Sequence, residues 1–239
     1  VYCIIGDGES REGQIAEALD FVIDRKLTNV LPIFNCNEFG QADRVSGQQS
    51  ADRIKAKLEA FGYDVKVIDG HAPKQVKEVM DEFAKRSGDK TGKCLAVVAK
   101  TVKGWGCPSM HGGGWHGKPA EGEALKRAIA ELDERRLELT SSLVSSDQFM
   151  IQPPVELADK SPKSGEMPSF SAMLRKLDME GVLPSGKMAT RRAYGIALRA
   201  LGQVNDRVVV LDADVSNSTF AELFRKDAAL VSQFVEGKI

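Results

Sequence analysis

Apolar positions along the chain repeat with two alternating periods. Residues 1–5, Val-Tyr-Cys-Ile-Ile, form a short apolar run rich in β-branched side chains, which predicts a buried strand. Over residues 11–26, Ile15, Ala18, Leu19 and Val22 recur at helical spacing, and residues 29–34 are again a strand-like apolar string. Strand, glycine turn, helix and strand make a unit whose right-handed crossover brings the two strand ends to one edge of a parallel sheet. The rhythm then repeats. Ile54, Leu58 and Phe61 predict a helix over 50–61 that Gly62 ends, and residues 64–68 predict a strand. Val76, Val79, Met80 and Phe83 mark a further helix before Gly88, and residues 94–99 a strongly apolar strand. The order βαβαβαβ predicts an α/β fold, a parallel sheet with helices on both faces.

Residues 101–119 break the rhythm with a glycine-rich stretch that holds Trp105, Trp115, His111 and His116. A long loop of this kind, after the C-terminal end of a parallel strand, is where such folds bind ligands. A helix over 121–139 follows, with Leu125, Ala128, Ile129 and Leu132 expected to face inward. Prolines 153, 154, 162, 168 and 184 then predict an extended connector over 140–186, interrupted by a short helix at 171–177. Residues 188–204 read as a helix with Tyr194, Ala197, Leu198 and Leu201 as its apolar stripe. A strand at 208–211 and a helix beginning at 218–224 would open a second, similar α/β domain. The expected division is therefore 1–139, a linker at 140–186, and 187–239. Both chain ends fall within apolar strings, so an internal fragment of a longer protein is expected.

Composition narrows the classes of partner. The formal charge is −1, with no basic excess to suggest nucleic acid, and no apolar run approaches a membrane span. No signal peptide is visible. Cys3, Cys36, Cys94 and Cys107 form no Cys-x-x-Cys pair, and the three histidines are not at zinc-ligand spacing with them. Buried free thiols in a reducing cytoplasm are the expectation.

The candidate chemistry lies at the first two strand ends. Gly6-Asp7-Gly8 leaves the backbone open to close approach, and the helix that follows offers N–H groups to a phosphate. A bare carboxylate at Asp7 would repel that phosphate unless a divalent cation lay between them. Magnesium takes carboxylate, amide and carbonyl oxygens together with phosphate oxygens, and Asp7, Asn37 and a carbonyl in the turn after Asn37 would supply them. The structural alternative is that Asp7 caps the following helix. A dinucleotide fingerprint is excluded because Arg11 stands where a third glycine is required, and no P-loop occurs.

Gly6-Asp7-Gly8, followed after 26 intervening residues by Asn35-Cys36-Asn37, resembles the thiamine diphosphate motif. The words GDGESREGQIAEA, NCNEFGQAD, AFGYDVKVIDGH, AKTVKGWG, WHGKP, MATRRAYG and VVVLDADVSNSTF are similar to the transketolase family, in the family's order. The resemblance implies a diphosphate-binding domain followed by the start of a pyrimidine-binding domain. It implies thiamine diphosphate and Mg2+ as cofactors, with Ca2+ or Mn2+ as substitutes for the metal. The metal would be held by Asp7, Asn37 and the backbone carbonyl of Phe39. The Gly8 backbone, Gln41, Lys103 and His116 would contact the cofactor. His116 would also reach the substrate and serve as a catalytic group. Arg191 and Ser218 would bind the sugar phosphate, with a helix N-cap as the alternative role for Ser218. Glu12 and Glu17 would join a carboxylate network in a homodimer interface, with surface ion pairing as their alternative. His71 and His111 read as structural and surface histidines, and Arg192 as solvated.

The implied reaction is transfer of a two-carbon ketol unit from a ketose phosphate to an aldose phosphate, in the cytoplasmic pentose phosphate pathway. The family's ring-activating glutamate and its early channel histidines have no counterpart in these residues, so no turnover is expected of this chain alone. Dihydroxyacetone synthase, deoxyxylulose phosphate synthase and a non-catalytic Mg-diphosphate-binding module are the alternatives.

Overall fold

The computed structural model of the protein describes residues 1–141 and 165–237. The chain divides into two compact units, Val1–Met150 and Ile151–Ile239. In the first, strands β1 (Tyr2–Gly6), β2 (Leu31–Cys36), β3 (Asp64–Asp69) and β4 (Leu95–Lys100) form one sheet in the order β1-β2-β4-β3, every pair parallel. Helices α1 (Gly13–Asp24), α2 (Ala51–Phe61), α3 (Pro73–Arg86) and α4 (Gly122–Thr140) connect or follow them.

The sheet is covered on both faces, as the apolar runs require. Alternate residues of β4 point opposite ways. Ala96 and Val98 pack with Leu19 of α1 and Ile54 and Leu58 of α2, whereas Leu95, Val97 and Ala99 pack with Val79 and Phe83 of α3. Gly62 closes α2 in the left-handed region at φ +106°, which relieves the carbonyls of its last turn.

Two expectations for this unit change. β1 is an edge strand, so Tyr2, Cys3 and Ile4 are exposed and only Ile5 is buried. The expected burial of the Cys3 thiol therefore fails, while Cys36, Cys94 and Cys107 are buried. On α4, Ala128 alone is buried, and Leu125, Ile129 and Leu132 are exposed. The face carrying Ala128, Glu131 and Arg135 turns to the glycine-rich loop instead. Its polar and cation–π contacts to Cys107, Ser109 and Trp105 set the rotation of the helix.

In the second unit, α5 (Phe170–Lys176), α6 (Val182–Ser185), α7 (Thr190–Val204), α8 (Ser216–Thr219) and α9 (Glu222–Arg225) accompany two parallel strands, β5 (Val210–Ala213) and β6 (Phe234–Gly237). Residues 142–164 of the expected connector lie outside the described residues; α5 packs Met173 and Leu174 against Ile196 and Ala200 of α7. The buried face of α7 is Gly195, Ile196, Ala200 and Gly202; of the expected stripe, Leu198 packs partly buried against the cluster that holds Val210 and Phe224, whereas Tyr194 and Ala197 are exposed. Glycines made the difference. A Cβ on Gly195 would lie 2.3 Å from the Phe220 carbonyl oxygen, and one on Gly202 2.3 Å from the Phe224 ring.

Candidate functional site

Strand register assembles the site. Gly6 lies opposite Asn35, Asn35 opposite Ala99, and Cys36 opposite Lys100, so β1, β2 and β4 end side by side. The ladder runs slightly further: Asp7 N–H donates to the Asn35 carbonyl at 3.1 Å, and Thr101 N–H to the Cys36 carbonyl at 2.9 Å. Asp7, Asn37 and the Thr101–Lys103 segment therefore leave the sheet at three neighbouring strand ends. They line a cavity of about 380 Å³ with Glu38, Phe39, Gln49, Lys100 and Gly112.

Asp7 is 2% exposed. It does not cap a helix: Gly8 precedes the single turn Glu9–Arg11 and Glu12 precedes α1, neither start with a side-chain cap. Instead, Asp7 Oδ1 accepts the Gly8 N–H at 2.8 Å and Oδ2 the Glu38 N–H at 2.6 Å, which links the two strand ends. Both donors are neutral, so the buried charge has no cationic partner among the described residues. Burying a charge in this state is costly unless a cation joins it. Glu38 adopts φ +67°, the left-handed region that a non-glycine residue enters only under constraint, and this turn aims its N–H at Asp7. Asn37 Oδ1 accepts the Phe39 N–H at 2.9 Å and stays at the cavity wall. Burial, and secondly the charge of Asp7, push the Cys36 thiol up to about 12, so Cys36 remains an uncharged wall of the cavity.

The glycine-rich loop brings one cation to the cavity. Lys103 Nζ donates to the Gly40 carbonyl at 2.6 Å and lies 6.0 Å from the Phe39 ring. Gly104 needs its freedom here, at φ +82° with the Met110 carbonyl oxygen 2.4 Å from where a Cβ would sit. Three residues hold the loop. His71 Nε2 accepts the Val102 N–H at 2.9 Å while its ring stacks on Trp105 at 4.5 Å. Arg135 covers the same indole at 4.7 Å. Glu131 accepts the N–H and hydroxyl of Ser109 at 2.9 and 2.8 Å.

The remaining expected residues lie elsewhere. Gln41 and His116 are exposed and outside the cavity wall, as is His111. Glu12 and Glu17 are exposed at the start of α1. In the second unit, Arg191 is exposed on α7, 5.8 Å from the Phe220 ring. Ser218 is inside α8 and is not an N-cap, since α8 begins after Val215; its hydroxyl donates to Asn217 Oδ1 at 3.3 Å.

Gln49 was not foreseen. It is a buried amide in the cavity wall, bonded to the Gly-Asp-Gly turn. The Ser-x-x-Gln pattern of residues 46–49 was a readable capping box, but its outward bonds were not. His71 and Glu131 act on the loop through contacts that sequence periodicity does not encode.

The fold and these strand ends define a parallel-sheet α/β protein with a polar-lined crevice beyond the ends of its strands, where such folds bind ligands. Residues 1–142 match the family model described as transketolase, thiamine diphosphate binding domain. Transketolase of Mus musculus is 35% identical over 229 residues, which cover 95% of this chain and 33% of that protein. Transketolase-like protein 2 of Mus musculus is 37% identical over the same lengths. The chain belongs to the transketolase family. It spans about a third of the length of the curated relatives it matches. Among solved structures, transketolase from Campylobacter jejuni aligns with TM-score 0.61 at 18% identity, over 100% of this chain and 38% of that one. Transketolase from Pichia stipitis in complex with sedoheptulose-7-phosphate aligns with TM-score 0.56 at 16% identity, over 92% and 35%. At such identities the likeness is one of fold.

Proposed function

We propose that the chain is the cofactor-holding part of a transketolase, an enzyme that moves a two-carbon ketol unit from a ketose phosphate to an aldose phosphate. The observation that carries this is Asp7, a buried carboxylate that joins two strand ends with neutral donors only, beside Asn37 and a cavity reached by Lys103. Its surroundings fit a divalent metal and a diphosphate. Asp7, the Asn37 amide oxygen and the Phe39 carbonyl are hard oxygen donors of the kind Mg2+ takes, with Ca2+ or Mn2+ as substitutes. The Gly8 N–H and Gln41 would contact the diphosphate, and the ammonium of Lys103 would offset its charge.

Thiamine diphosphate, when bound, supplies the carbanion chemistry of carbon–carbon cleavage. His116 would reach both cofactor and substrate and hold a proton at the reacting oxygen. Arg191, through its guanidinium fork, and Ser218 would bind the sugar's terminal phosphate. Those two residues belong to the second unit. The proposal therefore includes a homodimer in which the second unit of one subunit completes the site of the other, with Glu12 and Glu17 at the interface. The cytoplasm and the pentose phosphate pathway are the proposed setting.

The test is Asp7→Ala in the protein expressed from its complete gene, with thiamine diphosphate binding titrated against Mg2+ by calorimetry. Loss of a metal ligand should weaken Mg2+-dependent binding by about 100-fold or more, since even outer partners are worth 10–100-fold. Unchanged affinity refutes the assignment.

A further inference from the structure

The glycines on either side of Asp7 leave the peptide planes of the Gly-Asp-Gly turn free to rotate unless they are held. The Gly6 N–H donates to Glu9 Oε2 at 3.1 Å, and the planes after Asp7 are held from further away. The structure shows what holds them. Gln49 lies in the turn Gly47–Gln49 ahead of α2 and is 6% exposed. Its Nε2 donates to two carbonyls of the turn, Asp7 and Gly8, each at 2.9 Å. Its Oε1 accepts the Ser46 N–H at 3.2 Å. The orientation of the amide is forced: reversed, an oxygen would face two carbonyls and an NH2 would face an N–H.

Each of those carbonyls belongs to a planar trans peptide, whose N–H points the opposite way. Holding the Asp7 carbonyl therefore aims the Gly8 N–H, which donates to Asp7 Oδ1 at 2.8 Å. Holding the Gly8 carbonyl aims the Glu9 N–H in the same manner. The Ser10 hydroxyl adds a bond to the Asp7 carbonyl at 2.6 Å, but the Gly8 carbonyl receives its side-chain bond from Gln49. The loop before α2 is thereby tied to the metal-side turn by one buried side chain.

We propose that Gln49 is the positioning residue of the metal–diphosphate site: it sets the peptide orientation that aims the Asp7 carboxylate and the Gly8 N–H. This rests on the function proposed above. The competing account is a plain fold staple, whose loss would weaken the whole first unit evenly.

Gln49→Met keeps length and volume but removes both the donors and the acceptor, and it is made in the protein from the complete gene. In the cofactor-free variant, amide exchange at Gly8 and Glu38 should quicken about tenfold or more, while Val97 and Val98 of β4 keep wild-type protection. The Mg2+ concentration for half-saturation with thiamine diphosphate should rise about tenfold or more. Equal acceleration in β4 and the turn, or half-saturation within about threefold of wild type, overturns the proposal. Exchange of the Gln49 side-chain NH2 in the wild type gives an answer even if the variant does not fold. It should be at least about tenfold slower than that of the exposed Gln41, and equal rates overturn the proposal. A wild type that binds no thiamine diphosphate with Mg2+ would sink the underlying function instead, and the exchange measurements would still decide the role of Gln49.

Discussion

Glu131 is a single carboxylate that holds a whole loop, and its acidity records the task. The Ser109 N–H is the largest cause that holds it down at about 2, with the Ser109 hydroxyl, the Cys107 thiol and Arg127 adding to it against a smaller effect of burial. The folded value is depressed below the usual carboxylate range. Its contribution to stability is therefore fully present above about pH 4.5 and is lost as pH falls towards 2. The loop should follow. In a Trp115→Phe background, Trp105 fluorescence is expected to show a step between about pH 4.5 and 2. Glu131→Gln should remove that step; an identical acid transition in the two proteins would show that the clamp plays no part. At this scale the sequence was informative where a residue follows a strand end. That Asp7, Asn37 and Lys103 lie just beyond strand ends was legible because strand ends can be read from apolar runs. The partners of Gln49, Glu131 and the structural His71 were not legible, because each is distant in sequence and nothing in their own neighbourhoods names it.

Elements show a different limit. The longer helices followed from periodicity, whereas the one-turn helix α6 in the expected connector did not, nor did the rotation of two of the longer ones. On α7 the closest contacts are made by glycines, which a count of large apolar side chains passes over. Gly195→Ala would push a Cβ into the Phe220 carbonyl, and backbone cannot swing aside as a side-chain tip can. We expect a loss of about 3 kcal/mol, at the upper end for overpacking, seen as a lower thermal midpoint. Gly181→Ala is the matched control: Gly181 has φ −57° and open space at its Cβ, so the change should be neutral or slightly stabilising. Equal stability of the two variants would contradict the packing described for α7. On α4 the error had another source. Ala128 turns inward as its spacing predicts, but hydrogen bonds and a cation–π contact to the loop rotate the buried face towards Glu131 and Arg135 and leave Leu125, Ile129 and Leu132 exposed.

The whole molecule carries the consequence of those exposed side chains. Tyr2 and Ile4 stand open on edge strand β1, with Val1 exposed just before it, and Leu125, Ile129 and Leu132 on α4. An edge strand with free backbone groups and apolar side chains invites pairing, and a helix with an open apolar stripe binds other apolar surface. The 239-residue chain should therefore bind a hydrophobic dye and self-associate in sedimentation, and Ile4→Lys with Ile129→Glu should reduce both. A monomer that leaves the dye dark would contradict this account. The alternation of strands and helices was enough to establish a parallel α/β sheet. The spatial order β1-β2-β4-β3 was not legible, because it depends on which strands pair across the chain rather than on any local pattern.

The parallel sheet also gives the first unit two ends with opposite tolerance to change. Asp7, Asn37 and the Thr101–Lys103 segment leave from the C-terminal ends of strands, so inserted residues there would displace them directly. The segment entering β4 lies at the other end, where Ser87 to Lys93 are all exposed. The six residues of β4 separate it from the cavity by about 20 Å. A fluorophore, an affinity tag or a new pair of chain termini belongs at Asp89–Gly92, where the protein can be handled without touching its chemistry.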